Sequence, residues 1–132
     1  MPIVRIDIPD WSNQEQRKQI RIAIESCIAR TWFREHIWVA VRPFTTDENE
    51  KTIIMTVEVR SGRGHEKERT EALFDQSLNV FNKIIGTNAK ELILLVRQFE
   101  QNDCISGGNQ LPPLDDATPD INELRSEKMR VA

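Results

Sequence analysis

The residue with the clearest chemical potential stands at the start of the chain. Pro2 follows Met1, and Met1 is usually removed before a small second residue. Removal leaves a secondary amine on Pro2, at the mouth of an alternating apolar segment. An α-amino group titrates near pH ~8, and apolar surroundings with nearby cations lower that pKa. We therefore predict that the Pro2 nitrogen acts as an acid or base at neutral pH. The alternative is that Pro2 only begins a strand, a position where no backbone N–H donor is needed.

Two arginines form the second candidate group. Arg60 and Arg63 lie in the segment Arg60-Ser61-Gly62-Arg63-Gly64, between a strand-like and a helix-like pattern. A guanidinium matches a carboxylate with two parallel hydrogen bonds. Arginine is mildly unfavourable near a helix N-terminus unless it binds a ligand there. The pair predicts a site for a carboxylate-bearing ligand, and the alternative is a solvated strand end and helix start.

Composition restricts the class of protein. The chain has 132 residues, 39% hydrophobic and 30% charged, which is typical of one globular domain. Its net charge of -3 argues against a nucleic-acid-binding surface. No apolar run approaches the ~20 residues of a membrane span, and no signal peptide precedes the first strand. Cys27 and Cys104 form no metal-binding pair. We expect a cytoplasmic protein with two free thiols and no membrane or nucleic-acid partner.

Hydrophobic periodicity predicts the elements that must position Pro2 and the arginines. Alternation predicts strands, and spacing of three and four predicts helices. We place strands over about 2–8, 35–44, 52–60 and 91–99, and helices over about 13–31 and 65–85. The predicted buried stripe of the first helix is Ile20, Ala23, Ile24, Cys27, Ile28 and Thr31 or Trp32, and that of the second is Leu73, Phe74, Leu78, Phe81, Ile84 and Ile85. Ser12 with Glu15 fits a capping box at the first helix. The apolar run 92–96 predicts a strand buried on both faces.

The chain changes character after the fourth strand. We divide it into a domain over 1–103 and a C-terminal tail over 104–132. The tail contains Gly107-Gly108 and Pro112-Pro113, which favour an irregular segment. Thr118-Pro119 predicts the start of a short helix over about 119–129.

An internal repeat orders these elements. The segments 4–8 and 55–59 match, and Val41-Arg42-Pro43-Phe44 matches Val96-Arg97-Gln98-Phe99. The chain is therefore predicted to be α+β: duplicated β-α-β units that form one four-stranded mixed sheet with both helices on one face. Each unit is a right-handed crossover, so strands one and three meet antiparallel in the centre. Pro2 then lies near Arg60 and the 61–64 loop. Its counterpart in the second unit is Ile53, so one site per subunit is expected.

The pattern resembles the tautomerase superfamily. The resemblance rests on Pro2, the duplicated units and the stretch Val59-Arg60-Ser61-Gly62-Arg63-Gly64-His65-Glu66-Lys67, followed by Gly107-Gly108 and Leu111-Pro112. Within the superfamily the chain is most similar to the double-length members, the cis-3-chloroacrylic acid dehalogenase and malonate semialdehyde decarboxylase groups. The resemblance covers residues 2 to about 113.

The resemblance implies a cofactor-free, metal-free homotrimer that acts on small 2-keto or unsaturated carboxylic acids. It implies Pro2 as the catalytic amine and Arg60 and Arg63 as substrate-binding residues. The expected reaction is keto–enol proton transfer, with hydratase, dehalogenase or decarboxylase side activity left open.

The chain departs from that pattern at several positions. The first helix has no histidine and the chain has no tyrosine, so the set that activates water in the dehalogenases is incomplete. The decarboxylases use an aspartate at the start of strand two, where this chain has Glu35. Glu35 is the candidate second acid or base; the alternatives are a surface glutamate or its neighbour His36. These departures keep open a second function, an inactive tautomerase-like trimer that binds a partner.

Overall fold

The computed structural model describes residues 2–32, 37–47, 49–86 and 89–112. Over these ranges the main elements alternate between strand and helix. They are β1 (Ile3–Pro9), α1 (Gln14–Trp32), β2 (Trp38–Phe44), β3 (Ile53–Arg60), α2 (Glu66–Ile85) and β4 (Leu92–Phe99). Single-turn 3₁₀ helices, Ala89–Glu91 and Gln101–Asp103, flank β4, and two short strands follow, β5 (Ile105–Ser106) and β6 (Asn109–Gln110). The predicted elements are confirmed, with boundaries that differ by a few residues.

The four long strands form one mixed sheet in the order β2-β1-β3-β4. The central strands β1 and β3 are antiparallel, and each is parallel to its outer neighbour. Ile6 pairs with Val41 in the first unit, and Val57 pairs with Val96 in the second. These are the same positions that the repeat matches in sequence, so the duplicated β-α-β architecture is confirmed at the level of register.

The core lies between the sheet and the two helices. Alternate residues of β1 and β3 point to the helices and are fully buried. The largest buried side chains of the helices include Ile20, Ile24, Ile28 and Trp32 of α1 and Leu73 and Phe81 of α2. Burying one such side chain is worth about 1.5–3 kcal/mol, so this layer is the main source of stability. The apolar stripe predicted for α1 is confirmed.

Within the described ranges, no helix packs on the opposite face of the sheet, and we call it the open face. Its exposed apolar side chains come from three strands: Trp38, Ile54, Ile93 and Leu95. On the same face, Arg5 is paired with Glu58 at 2.7 Å and lies 5.9 Å from the centre of the Trp38 ring. The prediction that β4 is buried on both faces is wrong for the single chain, because Ile93 and Leu95 belong to this uncovered face.

The capping box of α1 is displaced by one residue from its predicted place. The Asn13 side chain accepts a hydrogen bond from the Gln16 N–H at 2.7 Å, and the Gln16 side chain accepts one from the Asn13 N–H at 2.9 Å. Ser12 instead donates its hydroxyl to the Pro9 carbonyl at 2.8 Å. The reciprocal arrangement satisfies two of the unpaired N–H groups at the helix start, and Asn13, not Ser12, is the N-cap.

The first part of the tail is more regular than predicted. β5 and β6 form a two-residue hairpin, with Gly107 (φ 61°) and Gly108 (φ 82°) in the turn. Both angles suit glycine, and a glycine pair favours a tight hairpin turn. Leu111 is buried, and its carbonyl accepts a hydrogen bond from the Gln101 side chain at 2.8 Å. The helix predicted over 119–129 lies outside the described residues. Neither described helix is long and apolar enough to cross a membrane.

Candidate active site

Pro2 lies at the entrance to the sheet. It is buried, and its carbonyl accepts a hydrogen bond from the Trp38 N–H at 3.1 Å. The next residue, Ile3, pairs with Glu58 of β3. The antiparallel register therefore places Pro2 beside the last residues of β3, as the repeat predicts. Met1 lies outside the described residues, so a free amine on Pro2 stays a prediction.

The loop 61–64 begins where β3 ends and leads directly into α2. Ser61 donates its backbone N–H and its hydroxyl to the Phe99 carbonyl, at 2.8 and 3.1 Å, which fixes the start of the loop to β4. Gly62 and Gly64 have φ of 90° and 85°, values that side-chain-bearing residues rarely adopt. The glycines are therefore required by the turn itself, and they bring Arg63 between them to a defined place.

Glu66 holds the loop from the first turn of α2. Its Oε1 accepts hydrogen bonds from the N–H groups of Gly62 and Gly64, at 3.2 and 3.1 Å. Partial burial opposes ionisation of this carboxyl, but the backbone N–H groups and the charge of Arg69 outweigh it and hold the pKa of Glu66 below its usual value. The helix N-terminus favours the same charged form. The loop amides are thus bound by a carboxylate of the chain itself.

The two candidate arginines lie on different sides of the sheet. Arg60 ends β3, and strand alternation assigns it to the open face, where it is half-buried. Arg63 lies on the helix side, is only 6% exposed, and donates an Nη2–H to the Trp32 carbonyl at 3.3 Å. Trp32 is the last residue of α1. The structure therefore brings Arg63 to the end of α1, a contact that the sequence did not predict.

Arg69 is the residue that sequence reasoning missed. It is 1% exposed, and its guanidinium donates to the carbonyls of Gly64 and Thr31, each at 2.7 Å. The predicted apolar stripe of α2 began at Leu73, and extending it back by one turn reaches Arg69. The predicted stripe also included Phe74, Leu78, Ile84 and Ile85, which are only partly buried, whereas Gln76 and Ser77 are fully buried. This face of α2 is partly polar where it packs against α1: Arg69 donates to the Thr31 carbonyl, and Gln76 accepts a hydrogen bond from the Arg30 side chain at 3.2 Å.

Three solved structures have the same arrangement of strands and helices. Pt0534 inactivated by 2-oxo-3-pentynoate matches with a TM-score of 0.72 and 15% identity, over 82% of this chain and 94% of that chain. FG41 malonate semialdehyde decarboxylase inhibited by 3-bromopropiolate matches with a TM-score of 0.64 and 18% identity, over 80% and 88%. The W0 fused 4-OT wild type symmetric trimer matches with a TM-score of 0.73 and 9% identity, over 82% and 97%. The chain has the tautomerase fold.

Because the sequence identities are 18% or lower, these similarities show the tautomerase fold and nothing finer. No protein-family model matches the chain, and no curated protein matches it either.

The remaining candidates are Glu35, His36 and the two cysteines. Glu35 and His36 lie outside the described residues, so the role of Glu35 stays a prediction. Among the described residues, no cluster of three or more His, Cys, Asp or Glu side chains could hold a metal ion. Cys27 and Cys104 are both free thiols. Burial raises the pKa of the Cys27 thiol, against the smaller effect of the nearby Arg30, so Cys27 is a poor nucleophile.

Proposed function

We propose that this chain is a cofactor-free tautomerase that moves a proton between the keto and enol forms of a small 2-keto or unsaturated carboxylic acid. The proposal rests on one observation: Pro2 is buried at the start of β1, beside the end of β3 from which the arginine-bearing loop continues. After removal of Met1, the Pro2 nitrogen is a secondary amine that can take up or release a proton. It carries the proton. Arg60 and Arg63 are the proposed carboxylate ligands, although in the single chain they lie on different sides of the sheet and Arg63 also binds the end of α1.

The reaction changes only the position of one proton. In the enol-to-keto direction the enol hydroxyl loses its proton, the neighbouring carbon gains one, and the Pro2 nitrogen acts as acid or base. Guanidinium groups stabilise the negative charge that develops on the enolate oxygen. Glu35 is the proposed second acid or base, and its role requires hydrogen-bond reach to the substrate. Hydratase, dehalogenase or decarboxylase activity is proposed only as a side reaction.

The ligands named with the solved relatives support this class of substrate. Pt0534 is inactivated by 2-oxo-3-pentynoate, and the malonate semialdehyde decarboxylase is inhibited by 3-bromopropiolate. By their chemical names, both are small unsaturated carboxylates. The proposed assembly is a homotrimer, as described for the fused 4-OT relatives. The open face supports it, because Trp38, Ile54, Ile93 and Leu95 form an uncovered apolar surface.

The decisive experiment measures turnover with and without the proline. Protein tagged only at the C-terminus is checked by intact mass for loss of Met1, then assayed with phenylenolpyruvate and 2-hydroxymuconate. We expect Pro2→Ala to lower kcat/KM by about 10²–10⁴-fold, the range for loss of a general acid or base. Pro43→Ala is the control, since Pro43 is exposed on the edge strand β2. Equal rates for Pro2→Ala and wild type, or no turnover by protein with a free Pro2, would refute the proposal.

A second candidate function is a catalytically inactive trimer that binds a partner. The observation that favours it is the position of Arg63, whose buried guanidinium binds the end of α1. In that case Arg63 stabilises the fold and does not bind an acid. Retention of Met1 in the intact mass would favour this candidate, because the Pro2 nitrogen would then be a tertiary amide.

A further inference from the structure

Arg69 connects two parts of the chain that are distant in sequence. Its Nε–H donates to the carbonyl of Gly64, in the loop, and its Nη1–H donates to the carbonyl of Thr31, near the end of α1. Both distances are 2.7 Å, which is short for an N–H···O hydrogen bond and typical of a charged donor. One buried side chain therefore holds the loop and the end of α1 together.

The chemistry of this position requires an arginine. The last carbonyls of a helix have no partners within the helix and carry partial negative charge. A guanidinium is always charged and offers donors in a rigid planar fork, so it can serve two carbonyls that lie in different directions. A lysine offers a compact point charge on a flexible stem and does not reproduce that geometry. Leaving either carbonyl without its donor in a buried place is costly.

Arg63 makes the adjacent contact. It donates to the Trp32 carbonyl, one residue beyond the carbonyl that Arg69 binds. The backbone of Arg63 is directly followed by Gly64, whose carbonyl Arg69 holds. Arg63 and Arg69 therefore bind successive carbonyls at the end of α1, and Arg69 also binds the residue that follows Arg63.

We infer that Arg69 is a positioning residue of the proposed site: it holds the 61–64 loop against the end of α1 and thereby fixes the place of Arg63, a proposed ligand of the substrate carboxylate. This inference rests on the proposed function. It predicts that replacing the Arg69 guanidinium weakens binding of the substrate carboxylate, whereas proton transfer at Pro2 continues. A residue that only stabilised the fold would change the melting temperature and leave KM unaltered in the folded protein.

The test compares Arg69→Lys with Arg17→Lys. Arg17 is the matched control, because it also donates from a helix to a loop, bonding the carbonyl and hydroxyl of Ser12 at the start of α1. We expect Arg69→Lys to raise KM for phenylenolpyruvate about tenfold with kcat within about twofold of wild type, the pattern of lost binding that is equal in ground and transition states. Hydrogen exchange at the Gly62 and Gly64 amides, measured by NMR, should also accelerate. If Arg69→Lys does not fold at the assay temperature, Arg69→Gln takes its place.

The outcomes separate this inference from the proposed function. KM and kcat equal to those of Arg17→Lys would overturn the role of Arg69 and leave the tautomerase proposal standing. If wild-type protein with a free Pro2 converts no acid, the proposed function fails. The rate of amide hydrogen exchange then decides whether Arg69 links the loop to α1. Faster exchange at Gly62 and Gly64 in Arg69→Lys then supports the link between loop and helix, and unchanged exchange overturns it.

Discussion

Glu66 makes the stability of the loop depend on pH. Its pKa is lowered in the folded protein, since the N–H groups of Gly62 and Gly64 bind the charged carboxylate. A group with a lowered folded pKa stabilises the protein above its unfolded pKa, and the contribution disappears as the pH falls through the folded value. The contribution of Glu66 is therefore complete at neutral pH and lost in acid.

We expect Glu66→Gln to be less stable than wild type at pH 7, and the difference to shrink as the pH falls from about 5 toward 3. Urea unfolding at a series of pH values measures it. Glu68→Gln, a substitution on the following part of the same helix, is the control. A difference that persists unchanged at pH 3, or that is equally large in Glu68→Gln, would contradict the role of the Glu66 carboxylate.

The position of Pro2 could be predicted from the sequence, whereas the contacts of the arginines could not. The repeat fixes which strands are central, and that alone places Pro2 beside the end of β3. Arg63 and Arg69 bind backbone carbonyls of α1, and such acceptors have no signature in side-chain types. Counting apolar spacing also assigns a charged residue to solvent by default, which is why Arg69 was missed although it lies one turn from Leu73.

At the scale of the elements, the reciprocal bonds of Asn13 and Gln16 define the start of α1. Replacing an N-cap asparagine by alanine removes an acceptor for a helix N–H and typically costs about 1 kcal/mol. We expect Asn13→Ala to lower the free energy of unfolding by about that amount in urea. Gln14→Ala, at the next and exposed position, should change it by no more than about 0.5 kcal/mol. Equal losses in the two variants would show that the cap contributes nothing.

The elements themselves were predictable because burial alternates in β1 and β3 and recurs every three or four residues in α1. Their ends were less so. Ser12 with Glu15 and Asn13 with Gln16 both fit the capping pattern, and only the contact of Ser12 with Pro9 decides between them. The β5–β6 hairpin was missed because its strands are two residues long, too short for alternation to be visible.

At the scale of the whole molecule, the open face is an apolar surface that a single chain leaves exposed to solvent. If the proposed trimer buries this face, a charge placed on it must be desolvated on assembly. We expect Ile93→Lys to reduce the assembly to the 15.3 kDa monomer in analytical ultracentrifugation. Ile22→Lys is the matched control, because Ile22 is 51% exposed on α1 and Ile93 is 52% exposed on β4. Wild-type sedimentation of Ile93→Lys would refute an interface at β4.

The symmetry of the sheet separates its architecture from its proposed chemistry. The pairings of Ile6 with Val41 and of Val57 with Val96 are equivalent. The strand pairing is therefore the same whichever unit comes first in the chain. A circularly permuted chain that began at β3 and ended with β2 would build the same four strands. Ile53 would then lie at the N-terminus, and the Pro2 nitrogen would be part of a peptide bond. Under the proposed function, the order of the two units therefore decides which residue carries the terminal amine.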